Sequence, residues 1–233
     1  MANLQTMPPI VLDTERLIEI GQHWDAAENE LPKKQGEIVG RLCDETVGNA
    51  LAHMLGGIPI EKPKMNSLLP VKPDCVEVGP ARVIGGIRPQ NFDVAYRPDG
   101  IRFAYDSKTL NGRESVGKNY QNMVNDLGAE ATTVHARFAS AIVAFIIVVP
   151  EPCLGNHGRN LIAALTRLCG RNTISGDLYK AEAISLVVWQ SATGLIDPGW
   201  PAMDSPLRIE KFSQDIEACY TYRFAGQPPH NLD

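Results

Sequence analysis

Two aspartates, a serine and a lysine near the middle of the chain have the residue types that metal-assisted hydrolysis needs. Asp93 is followed, after twelve intervening residues, by the triplet Asp106-Ser107-Lys108. Mg²⁺ binds through one or two carboxylates together with water and phosphate oxygens. A lysine beside such an ion can hold a phosphate or position a water molecule. If the fold brings them together, these residues predict a site that hydrolyses phosphodiester bonds.

The stretch 91–110 is predicted to form a β-hairpin that places the two aspartates on neighbouring strands. Two segments of alternating side chains flank Pro98-Asp99-Gly100, and Asp-Gly between alternating segments is a strong hairpin signal. A two-residue loop at Asp99-Gly100 sets Asp93 directly opposite Asp106. One face of the hairpin is then aromatic and the other is charged, with Lys108 on the same face as Asp106.

Two carboxylates that face each other across one rung of a sheet repel each other. At a separation of roughly 5 Å and an effective dielectric constant near 20, this repulsion is on the order of 3 kcal/mol. A divalent cation would offset it, so the expected cofactor is Mg²⁺.

The pattern formed by Asp93 and Asp106-Ser107-Lys108 resembles the signature of the PD-(D/E)XK nucleases, the site of most type II restriction endonucleases. Phe92 precedes Asp93, so the literal Pro-Asp pair of the signature is absent at this position. Pro98-Asp99 lies in the predicted turn, too close to the triplet to sit beside it, and Pro73-Asp74 belongs to a proline-rich loop. The hairpin register therefore favours Asp93.

A helix predicted over about 34–55 offers a further acidic residue. Its apolar stripe places Asp44 and Glu37 at the border of the buried face and Glu45 on the far side. The segment 38–48, IVGRLCDETVG, is similar to the acid-bearing helix of the mismatch-repair nicking endonuclease and Sau3AI-like restriction enzymes. There the pattern is roughly V-G-x-L-x-E with a glycine four residues on. Asp44 falls at the acidic position, and the choice among Asp44, Glu45 and Glu37 stays open.

The remaining patterns predict an α/β (α+β) fold with a mixed sheet flanked by helices, in the order α-β-β-α-β-α-β. This order matches the core of the nuclease family, and residues 1–233 are expected to form a single nuclease domain. The other predicted elements are helices over 14–28, 115–127 and 158–168 and buried strands over 139–149 and 183–190.

The segment 57–90 is rich in proline, glycine and lysine and is predicted to be a loop-rich insertion that contacts DNA. The net charge is −5, yet residues 61–123 carry ten basic and seven acidic side chains. A basic middle between acidic flanks suits a protein that meets phosphates on one side. The side chains expected to contact DNA are Lys62, Lys64, Arg88, Lys118 and Asn122.

Several other classes of site find no support in the sequence. The five cysteines form no CxxC pair and the five histidines no HxH or HExxH pattern, so neither a disulfide framework nor a zinc site is indicated. The longest apolar run, 139–149, is much shorter than the roughly 20 residues of a membrane helix. No signal-peptide pattern opens the chain, which predicts a cytoplasmic protein.

The resemblance implies a Mg²⁺-dependent type II restriction endonuclease that cuts double-stranded DNA as a homodimer. It implies Asp93, Asp106, Lys108 and Asp44 as catalytic residues, with Lys108 orienting or deprotonating the attacking water. The metal ligands are expected to be Asp93, Asp106, Asp44 and Ser107.

Two alternatives follow from the same residues. A DNA repair or junction-resolving nuclease would use the same fold and the same chemistry. A non-catalytic DNA-binding or assembly protein would carry the acidic pair as a solvated face of the hairpin.

Overall fold

A mixed β-sheet with helices on both faces forms the centre of the protein in a computed structural model. The structure describes residues 3–27, 33–112 and 115–230. Within these residues the sheet has six strands whose spatial order follows the chain. They are β1 (Ile60–Glu61), β2 (Val76–Ile84), β3 (Pro89–Tyr96), β4 (Phe103–Thr109), β5 (Ile142–Pro150) and β6 (Ala183–Trp189).

The helices pack on opposite faces of this sheet, as two successive residues of β4 show. They are α1 (Thr14–Ala26), α2 (Lys33–Met54), α3 (Ser115–His135), α4 (Glu151–Leu154), α5 (Gly158–Leu168) and α6 (Ile209–Phe224). Ser107 lies against Gly40 of α2, whereas Lys108 pairs with Glu130 of α3. Because neighbouring strand residues point to opposite faces, α2 and α3 cover opposite sides. The predicted α/β class is confirmed.

The strands β4, β5 and β6 run parallel, and the pairs β2–β3 and β3–β4 are antiparallel. Every residue of β5 and β6 is buried, as expected of parallel strands covered on both faces. In the part of the chain that the structure describes, no helix has the length and hydropathy to span a membrane.

The register of the central hairpin agrees with the prediction, although its loop does not. Val94 pairs with Tyr105 and Tyr96 with Phe103, the register that a two-residue loop at Asp99-Gly100 would give. The strands stop earlier than predicted, however, and the loop spans 97–102. Two ion pairs hold this longer loop in place, Arg97 with Glu77 and Arg102 with Asp99.

The segment 57–90 contains more regular structure than a loop-rich insertion would. It contributes β1 and β2 to the sheet, and β2 pairs with β3 on both sides of a bulge at Gly79-Pro80. Proline cannot donate a ladder hydrogen bond, and Gly79 has a φ of +124° that L side chains rarely adopt. The sequence offers short strand candidates over 75–78 and 81–84 within this segment, and the structure joins them across the bulge into the single strand β2.

The observed bounds agree with the predicted bounds for some elements and differ for others. The helices α2 and α5 begin and end within one residue of their predicted bounds. The helix α3 continues beyond the predicted end at residue 127 as far as His135, and α6 was not predicted at all.

Candidate active site

The site forms where β3 and β4 separate. Their ladder ends at the pair Val94 and Tyr105, and beyond it β3 pairs with β2 while β4 pairs with β5. Asp93 and Asp106 are the first residues past this point. The backbone N–H of Ser107 donates to Asp93 Oδ2 at 3.0 Å, and the Ser107 hydroxyl lies 3.3 Å from the same oxygen. The Asp93 side chain thus takes the place of a backbone hydrogen-bond partner for Ser107.

The two carboxyl groups converge, as the hairpin register predicted. Asp93 and Asp106 lie within hydrogen-bonding reach of each other. Asp44 of α2 approaches the same place and lies close to Asp93 and Ser107. Asp93 of β3 therefore lies between Asp106 of β4 and Asp44 of α2, and these three aspartates are called the cluster below.

Among the three acids left open on α2, only Asp44 reaches this cluster. Asp44 is buried, whereas Glu37 is exposed to solvent. Glu45 points the other way and pairs with Arg16 of α1, with 3.1 Å between Glu45 Oε2 and Arg16 Nη1. The structure thus places the residue that matches the acidic position of the helix pattern next to the hairpin acids.

Two glycines of that helix pattern let α2 pack closely against the sheet. A Cβ added to Gly40 would lie 3.0 Å from the Ser107 hydroxyl oxygen. A Cβ added to Gly48 would lie 2.4 Å from a methyl group of Val78, closer than real Cβ atoms come. The close approach brings Asp44 within reach of the cluster.

Burial and mutual repulsion raise the free energy of the cluster when all of its carboxyl groups are charged. Burial, followed by the charge of Asp93, raises the pKa of Asp44 to about 8. Burial, followed by the hydrogen bond with Asp106, raises the pKa of Asp93 to about 7. Burial also raises the pKa of Asp106. These shifts show that the charged forms of the three carboxyl groups are disfavoured where they lie.

Lys108 supplies a positive charge at the edge of the cluster. Its ammonium group pairs with Asp106 and lies 3.0 Å from Glu130 Oε1. Burial alone would lower the pKa of Lys108, but the charges of Asp106 and Glu130 outweigh it and raise the pKa above its usual value. A lysine that stays protonated can donate hydrogen bonds but cannot accept a proton.

Glu130 is a site residue that the sequence reasoning missed. It lies on α3 three residues beyond the predicted end of that helix. Leu127, Ala131 and Val134 are buried around it, so Glu130 continues the apolar stripe of the helix. A glutamate at a buried helical position was the signal that could have revealed it.

Two carboxylates of the cluster could serve a hard cation that keeps part of its water. Among the described residues, no three His, Cys, Asp or Glu side chains are arranged as the ligands of a metal ion. Mg²⁺ commonly takes only one or two carboxylates and completes its shell with water and phosphate oxygens, which matches Asp93 and Asp106. Asp44 Oδ1 is buried without a hydrogen-bond partner in the described part of the chain. Ser107, a predicted ligand, instead orients Asp93 through its hydrogen bonds.

The five side chains predicted to contact DNA lie on three different segments of the protein. Lys62 and Lys64 are exposed, and the Lys62 side chain lies beside Gly79 in the bulge opposite Asp93. Arg88 is exposed in the turn between β2 and β3. Lys118 and Asn122 are exposed on α3, with Asn122 about two turns before Glu130. Among these five side chains, Lys62 is the one that lies next to the bulge of β2 opposite Asp93.

Comparisons of the chain with protein-family models, curated proteins and solved structures give no match. The resemblance to the PD-(D/E)XK nucleases therefore remains a prediction from the residue pattern.

Proposed function

We propose that the protein is a Mg²⁺-dependent endodeoxyribonuclease of the type II restriction enzyme kind. The convergence of Asp93 and Asp106 at the separation of β3 and β4, with the Lys108 ammonium bound to Asp106, carries this proposal. A solvated acidic face, the basis of the non-catalytic alternative, would leave these groups in water. Asp106 is only 9% exposed, which favours a site over a solvated surface.

The residues of the cluster have distinct roles in the proposed reaction. Asp93 and Asp106 would hold the Mg²⁺, with Asp44 beside them. When bound, the ion supplies Lewis-acid polarisation of the scissile phosphate and charge stabilisation at the leaving 3′ oxygen. Lys108, kept protonated by its two carboxylate partners, donates to the attacking water or to a phosphate oxygen and so positions it. Ser107 fixes the direction of the Asp93 carboxylate.

The substrate is proposed to be double-stranded DNA. Lys62 and Lys64 are exposed on the loop beside the Gly79 bulge, where phosphates of a duplex held at the cluster would pass. Contacts of this kind supply most of the affinity for DNA without reading its sequence. Cutting both strands of a palindrome requires two sites related by a two-fold axis, so we propose a homodimer.

The most informative test is incubation of the protein with mixed plasmid DNA and Mg²⁺, followed by sequencing of the ends. Discrete fragments with one shared end sequence are expected. Cleavage confined to branched DNA would instead indicate a junction-resolving nuclease on the same fold. The absence of cleavage on any DNA with Mg²⁺ or Mn²⁺ would contradict the proposal.

Site variants connect the activity to the cluster. Because phosphodiester hydrolysis needs up to roughly 20 kcal/mol of transition-state stabilisation, Asp93→Asn and Asp106→Asn should each reduce cleavage about a thousandfold or more. The matched controls are Asp74→Asn and Asp99→Asn, which alter the two literal Pro-Asp pairs. Asp74 accepts a hydrogen bond from Tyr96 and Asp99 pairs with Arg102, so both controls should keep cutting. Cleavage that survives Asp106→Asn would show that this hairpin is not the active site.

A further inference from the structure

We propose that Glu130 is a positioning residue that holds the Lys108 ammonium in the site when Asp106 binds the cation. This inference rests on the proposed function, since it concerns the same cluster. It adds a residue of α3 that neither the hairpin pattern nor the acidic helix pattern contains.

The geometry makes Lys108 the charge partner of a deeply buried carboxylate. Glu130 is 7% exposed, and its Oε1 lies 3.0 Å from Lys108 Nζ. Its Oε2 is buried and has no hydrogen-bond partner in the described part of the chain. A buried carboxylate without compensation is costly, so Glu130 binds the ammonium firmly.

Lys108 and the proposed cation need the same carboxylate. The ammonium pairs with Asp106 Oδ2, and Asp106 is one of the two proposed metal ligands. An ammonium group has three N–H donors, of which Asp106 and Glu130 occupy two. With Glu130 present, Asp106 can bind the cation while the ammonium keeps one partner and stays near the reacting phosphate. Without Glu130 the ammonium depends on Asp106 alone and competes with the cation for it.

Calorimetric titration of the full chain with Mn²⁺, without DNA, tests this competition directly. Glu130→Gln should weaken Mn²⁺ binding about tenfold, the usual size of an effect transmitted through a neighbouring group. Lys108→Met should leave Mn²⁺ affinity equal to that of the wild type or tighter, since it removes the competing cation. The double variant Glu130→Gln/Lys108→Met should then bind as Lys108→Met does, because Glu130 acts only through the lysine.

The matched control is Asp126→Asn. Asp126 lies one turn earlier on α3, is exposed, and loses the same single charge. Its Mn²⁺ affinity should equal that of the wild type. Glu130→Asp keeps the charge on a shorter arm and should bind Mn²⁺ with an intermediate affinity, which tests the inference even if the glutamine variant does not fold.

Three results would overturn the inference. Unchanged Mn²⁺ affinity in folded Glu130→Gln would show that Glu130 does not relieve any competition. A double variant as weak as Glu130→Gln alone would show that Glu130 acts on the cation itself. Absence of Mn²⁺ binding by the wild type would remove both the inference and the metal of the proposed function. Loss of cleavage in Asp106→Asn together with unchanged Mn²⁺ affinity in Glu130→Gln would leave the proposed function standing and reject the inference alone.

Discussion

At the scale of single residues, the cluster combines groups that are unfavourable together in the absence of a cation. Asp44, Asp93 and Asp106 come from three elements and lie in a pocket where burial raises the pKa of each carboxyl group. Asp93 and Asp106 followed from residue type and spacing, whereas Asp44 was one of three candidate acids on α2. Glu130 did not, because the predicted helix ended at residue 127, although Ala131 and Val134 continue the apolar stripe on which Glu130 lies.

The raised pKa values predict how stability depends on pH. An aspartate with a pKa above its ordinary value binds protons more tightly in the folded state than in the unfolded state. The stability gained from this is complete below a pH of about 4 and is lost as the pH rises through the folded values of about 7 and 8. The thermal midpoint of the metal-free protein should therefore fall between pH 5 and pH 8. Differential scanning fluorimetry in EDTA measures it.

Asp44→Asn tests whether this cluster causes the pH dependence. The variant lacks one of the three titrating groups, so its thermal midpoint should fall less steeply over the same range and lie several degrees above that of the wild type at pH 8. Asp204→Asn, at an exposed aspartate of a different segment, should match the wild type. A midpoint that rises from pH 5 to pH 8 in the wild type would contradict the account.

At the scale of elements, the hairpin register was predictable and the separation of its strands was not. Alternation and the Asp-Gly pair specify the register locally, and Val94 opposite Tyr105 agrees with it. The separation occurs where β3 lies opposite the Gly79-Pro80 bulge of β2 and where β4 continues alongside β5, a strand distant in the sequence. The helix α6 was not predicted, although Ile209, Phe212 and Ile216 recur at helical spacing.

The close packing of α2 on the sheet can be tested with two glycine-to-alanine variants that should shift the thermal midpoint in opposite directions. Alanine is favoured over glycine inside a helix by about 1 kcal/mol. Gly128→Ala in α3, where a Cβ would meet Leu168 at 3.8 Å, should therefore raise the thermal midpoint. Gly48→Ala should lower it, since a Cβ only 2.4 Å from Val78 forces a shift that costs about 1 to 3 kcal/mol. A stabilised Gly48→Ala variant would show that α2 does not pack this closely.

At the scale of the whole molecule, the sheet positions the cluster between helices of both faces. Asp44 reaches it from α2 and Glu130 from α3, so both layers contribute to one site. The α/β class could be predicted because the buried strands and amphipathic helices have clear periods. Which helix acid meets the hairpin could not be predicted, because the answer depends on how α2 packs on the sheet.

The exposed lysines beside the bulge give a prediction about DNA binding. Lys62→Ala/Lys64→Ala should weaken binding to unrelated duplexes to a similar degree and reduce the slope of log affinity against log salt by about 2. The control pair Lys180→Ala/Lys211→Ala removes the same charge from other parts of the chain and should leave the slope unchanged. Fluorescence anisotropy of Asp106→Asn, carrying either pair of changes, measures binding without cleavage. If the two double variants have equal slopes, the loop formed by residues 62–64 does not contact the DNA.

The central claim is that the acids of β3 and β4 form the binding site of a divalent cation. Anomalous scattering from crystals of the wild-type protein soaked in Mn²⁺ tests it most directly. The account predicts one strong peak in contact with carboxylate oxygens of both Asp93 and Asp106, and its loss in Asp106→Asn. Manganese bound only elsewhere, with these two carboxylates free of it at saturating Mn²⁺, would contradict the claim.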